Sequence, residues 1–87
     1  MNYNQIKDII NGWDPVNLLE TAPLDEYSYE ISKIYDFICK EKITVDILAN
    51  NIYQIFLESF GDVFIKSKED CIVIADKIVC LMNNDKV

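Results

Sequence analysis

The chain has 87 residues, 51% of them apolar, and a formal charge of −7 from fifteen acids and eight bases. That length suits one domain spanning residues 1–87, with a single modest core that needs neither metals nor disulfides. Every base is a lysine, and a polyanion without arginine is a poor reader of phosphate, so nucleic acid and anionic membranes are excluded as expected partners.

Four helices follow from the 3.6-residue period and the capping residues. The first is predicted from Tyr3 to Asn11, with Tyr3, Ile6, Ile9 and Ile10 on one face. Gly12 is expected to take the left-handed conformation that closes it. In Trp13-Asp14-Pro15, Asp14 is placed to cap a short extra turn running from Pro15 through Leu19, and Trp13 reads as a core anchor beside it. Thr21-Ala22-Pro23 then forces a loop.

The second helix is predicted from Asp25 to Lys40, its apolar face formed by Tyr27, Ile31, Ile34, Tyr35 and Ile38. Asp25 and Glu26 at its start and Lys40 and Lys42 at its end complement the helix dipole. Thr44 reads as the N-cap of a third helix, Val45 to Phe60, closed by Gly61. Its apolar arc is the widest in the chain, which makes it the central helix. Val63-Phe64-Ile65 is an apolar connector, either extended or a hydrophobic staple. Ser67 and Asp70 have the spacing of a capping box for a last helix, Lys68 to Met82, ended by Asn83-Asn84. That helix is expected to bury Cys71, Ile72, Ile74, Ala75, Ile78, Val79 and Met82. Short connections favour antiparallel neighbours, so the expected fold class is all-α, a compact bundle of about four helices with a short extra turn after helix one.

Trp13-Asp14-Pro15 and Asp25-Glu26-Tyr27, the latter ending in Glu30-Ile31, are the most distinctive stretches. Together they resemble a bacterial family of short helical proteins, domain of unknown function 1871, with W-D-P near the start and D-E-Y farther on. The resemblance implies a helical fold over nearly the whole chain. It brings no activity, cofactor or site residue with it.

Chemistry is constrained mostly by what is missing. Without histidine there is no imidazole ligand, no His general base, and no Ser-His or Cys-His dyad. Cys39, Cys71 and Cys80 lack C-x-x-C spacing, so neither a zinc site nor a disulfide framework is expected, and a reducing compartment fits. Asp14, Glu20, Asp25, Glu26 and Glu30 form the richest carboxylate group, of a kind that can serve a hard cation or acid–base chemistry, but caps and helix-end charges explain more of it. Glu30 falls on the margin of the apolar arc of helix two. It is expected to be half-buried and tied to the Trp13 indole, a tyrosine hydroxyl or Lys33.

The same projection turns some groups outward. Tyr29 shares the polar side of helix two with Asp36 and Lys40, and Ile47 points outward on helix three. Val73 and Cys80 form an outward stripe on helix four beside Glu69 and Asp76. Tyr29, Asp36, Val73, Asp76 and Cys80 are therefore the candidate binding residues. The functional expectation is a cytoplasmic, non-catalytic protein-binding module without metal or cofactor. Its most concrete form is an acidic immunity or antitoxin-like protein covering a basic partner. The alternative is a homo-oligomeric housekeeping protein with the stripe as its dimer seam, and the plain account of the acidity is solubility. The N-terminus has no basic region followed by an apolar run, and no apolar run approaches the ~20 residues of a membrane span, so neither secretion nor insertion is expected.

Overall fold

The computed structural model describes residues 3–16, 26–40 and 42–84. Within them stand four α-helices: α1 (Tyr3–Trp13), α2 (Ser28–Lys40), α3 (Val45–Phe60) and α4 (Lys68–Asn84), with a short 3₁₀ turn at Gly61–Val63. The bundle is a ring. Each of α2 and α4 packs against both α1 and α3, while the backbones of α2 and α4 stand diagonally across the core from one another. Ile6 and Ile10, Ile31 and Ile34, Leu48, Ile52 and Phe56, and Cys71 and Ile78 fill the space between them.

The ends of α3 follow from local chemistry. The Thr44 hydroxyl oxygen accepts a hydrogen bond from the Ile47 N–H at 3.2 Å, satisfying one of the orphan donors of the first turn. At the other end Gly61, at φ 56°, turns its N–H onto the Leu57 carbonyl. The start of α4 is a reciprocal box. The Asp70 N–H donates to Ser67 Oγ at 3.2 Å, and the Ser67 N–H donates to Asp70 Oδ2 at 3.0 Å. Aspartate thus serves where the longer glutamate is usual.

Several expectations need correction here, beginning with α2, whose first helical residue is Ser28 and not the expected Asp25. Gly12 does not close α1; the helix runs through it to Trp13, and Asp14 takes the left-handed conformation at φ 46°. The Asp14 N–H donates back to the Ile10 carbonyl at 2.9 Å, so Asp14 ends α1, with a left-handed rather than an extended backbone. Aspartate is one of the few side chains that visit this region readily. A short extra turn follows α3. Pro15 and Val16 form a turn, and the rest of the segment expected to follow, with Glu20, Thr21-Ala22-Pro23 and Asp25, lies outside the described residues. Ile72 is 39% exposed instead of buried.

α4 continues through the two asparagines expected to stop it. In the connector, Phe64 is buried while Val63 and Ile65 on either side of it face outward, Ile65 at 81% exposure. No helix among the described residues is long and apolar enough to cross a membrane.

Candidate functional site

The two distinctive motifs meet at one junction. Tyr27 is fully buried, and its hydroxyl donates to Asp14 Oδ1 at 2.6 Å while accepting from the Val16 N–H at 3.1 Å. The Tyr27 carbonyl accepts from the Ile31 N–H at 2.9 Å and so opens α2. One side chain therefore fixes the end of α1 to the start of α2. Asp14 and Tyr27, one residue from each motif, are thus occupied in holding the chain together.

Aromatic packing anchors this junction to α3. Phe56 lies edge-on to Trp13 and Tyr27, with ring centroids 5.7 and 5.8 Å apart, and stacks with Phe60 and Phe64 at 5.9 and 5.6 Å. Such geometries suit the ring quadrupoles, each pair adding about 0.5–1.5 kcal/mol beyond area burial. Trp13 also meets Phe64 edge-on at 6.3 Å. It is partly rather than largely buried, resting on the flank of the cluster.

Glu30 departs from expectation in two ways. It is only 5% exposed instead of half-buried, and its Oε1 has no hydrogen-bond partner, so the anticipated tie to Trp13, a tyrosine hydroxyl or Lys33 is not made. Its place in the first turn of α2 puts the carboxylate at the positive end of the helix dipole, which offsets part of the burial cost. Among the described residues no group of three or more histidine, cysteine, aspartate or glutamate side chains comes together.

The five outward candidates are all exposed, and they divide between two faces. On α2, Tyr29, Lys33, Asp36 and Lys40 follow one another along one face, with Tyr29 61% exposed. The Lys33 ammonium sits 4.8 Å from the centre of the Tyr29 ring, a cation–π contact. Tyr29 first, then Glu58 and Glu30, raise its pKa above the ordinary lysine value. A polar groove of about 380 Å³ runs beside this face between α2 and α3, floored by Phe37 and Ile55. On α4, Glu69, Val73, Asp76 and Cys80 repeat the same spacing, and all four are exposed, Val73 at 56%.

The two faces differ in sign. The α2 row carries two ammoniums and one carboxylate, whereas the α4 row carries two carboxylates and no ammonium. Because α2 and α4 are diagonal in the ring, one compact partner surface does not cover both. Sequence reading found both rows by projection. It missed the apolar groups next to the second: Val63, Ile65 and Ile72 are exposed around the start of α4. The alternation of Val63-Phe64-Ile65 was the available signal, since an extended run sends its outer residues to the side opposite the central one.

The cysteines separate by burial. Cys39 and Cys80 are exposed and Cys71 is buried. Loss of solvation, with Asp70 adding and Lys68 opposing, raises the Cys71 thiol to about 11. Ellman's reagent at neutral pH is therefore expected to titrate two thiols in the folded protein and the third only after unfolding. Three thiols reacting at one rate would contradict this packing of α4.

The profile of the family described as Domain of unknown function (DUF1871) matches residues 5–87. No curated protein and no solved structure matches the chain.

Proposed function

The chain belongs to the DUF1871 family, and on that footing we propose that it is a non-catalytic protein-binding module whose α4 face covers a basic partner, in the manner of an immunity or antitoxin protein. The observation that carries this reading is the α4 row, in which exposed Val73 and Cys80 alternate with the exposed carboxylates Glu69 and Asp76. The row is about 17 Å long at 1.5 Å per residue. Val63, Ile65 and Ile72 supply further exposed aliphatic surface near its start. An interface needs apolar anchors for residence and complementary charge for encounter, and this face offers both. The α2 face, with Tyr29 and Asp36, fits a basic partner less well, because Lys33 covers the Tyr29 ring and Lys40 adds a second positive charge. A net charge of −7 supports the same choice of partner.

The alternative use of the same face is a dimer seam, and charge argues against it. Two copies apposed through α4 bring four carboxylates, Glu69 and Asp76 of each, into one seam, which costs energy by like-charge repulsion. Light scattering at rising concentration distinguishes the two. The expected result is a monomer throughout, with Val73→Asp leaving the mass unchanged. A dimer that Val73→Asp converts to monomers would replace the binding-module reading with the seam.

A further inference from the structure

A second groove, of about 540 Å³, opens at the N-terminal end of α3, where the end of α2, the connection to α3 and the last turns of α4 come together. Its floor is aliphatic: Ile38, Ile43, Val79 and the thioether of Met82. Ile38 is buried, and the other three are half-buried with their remaining surface open. Three polar side chains complete it: Lys42, Thr44 and Asn83. The volume falls within the roughly 300–1,000 Å³ of small-molecule sites, which likewise pair an apolar lining with a few polar groups. Met82 can re-pack around an occupant at little cost.

We propose that this groove binds a single aliphatic chain ending in a carboxylate. The floor selects the chain, since the described lining residues offer neither an aromatic ring for stacking nor a carboxylate for a cation. The rim selects the headgroup. Lys42 is the one charged side chain among the described lining residues, and its ammonium is the local counter-ion for an anion. Thr44 Oγ already accepts from the Ile47 N–H, which leaves its hydroxyl proton to donate. The Asn83 amide offers a second donor. A partner protein's aliphatic side chain would use the same floor but have no need of Lys42.

Titration of the full chain with decanoate and with decyltrimethylammonium, both below their micelle concentrations, tests this by amide chemical shifts. Saturable shifts are expected at Ile38, Ile43, Thr44, Val79, Met82 and Asn83. Decanoate should bind about threefold to fivefold more tightly than the cation, as an exposed ion pair allows. Lys42→Gln is expected to erase that preference without altering the melting temperature, since Lys42 is exposed. Val79→Phe should occlude the groove and abolish both. Shifts that do not saturate or that fall elsewhere overturn the proposal. So does equal binding of both headgroups, which would leave an apolar slot of the kind that receives a side chain.

Discussion

Replacing Tyr27 by alanine is expected to cost about 3–5 kcal/mol, a large share of the stability of so small a chain. A chain of this size has about 4–13 kcal/mol of stability in total, taking the usual stability per residue. The side chain is fully buried, and it ties Asp14 and Val16 in α1 and its turn to the start of α2. Tyr27→Phe separates packing from hydrogen bonding. The ring stays, Asp14 loses this donor and the Val16 N–H loses its acceptor, for an expected cost of about 2–3 kcal/mol. Urea denaturation followed by far-UV circular dichroism measures both. An alanine variant within about 1 kcal/mol of the parent would mean that the junction is not a structural tie, and that the two motifs serve something other than the fold.

Phe56→Ala should be comparably damaging, at about 3–5 kcal/mol, because Phe56 is fully buried and touches four other rings. The cavity would open where Trp13, Tyr27, Phe60 and Phe64 converge. Phe56→Leu keeps most of the volume and should cost about 1–2 kcal/mol, lost mainly from the ring contacts. Trp13 is the only tryptophan, so its fluorescence reports the site directly. Its emission should move to longer wavelength in Phe56→Ala as water reaches the indole. Unchanged emission together with unchanged stability would show that the cluster does not hold α1 to α3.

Much of this architecture is legible in the sequence wherever a boundary is set by neighbouring residues. The limits of α3 can be read to the residue because Thr44 and Gly61 act within one turn of the backbone that they cap. The end of α1 cannot, because what favours Asp14 over Gly12 includes a hydrogen bond from Tyr27, thirteen residues away. Gly12 is permissive, but nothing local requires it to turn. Glu30 fails for a related reason: a helical projection gives the direction of a side chain and not how closely the next helix covers it. Ile72 shows the converse error, since the apolar arc of α4 is wider than the surface its neighbours bury.

For the candidate surfaces, projection was sufficient to send Tyr29, Asp36, Val73, Asp76 and Cys80 outward, since these lie far enough from the apolar arcs that no neighbouring helix covers them. It could not rank the two faces. That ranking comes from tertiary facts: Lys33 lies over Tyr29, α2 and α4 occupy opposite corners of the ring, and further aliphatic side chains are exposed near the start of α4. The motifs that carry the family resemblance point to neither face, because Trp13, Asp14 and Tyr27 belong to the core junction.

The most direct test of the α4 interface is site-specific photocrosslinking in the native cell, with benzoylphenylalanine placed at position 73 or, as the control, at position 29. The account predicts a discrete protein adduct from position 73. In a lysate it should weaken as salt is raised, and it should vanish when Glu69 and Asp76 are changed to lysine, since charge speeds encounter with a basic partner. Position 29 should give no such adduct. A discrete adduct from position 29 alone, or one from position 73 that ignores both salt and the charge reversal, would contradict the account.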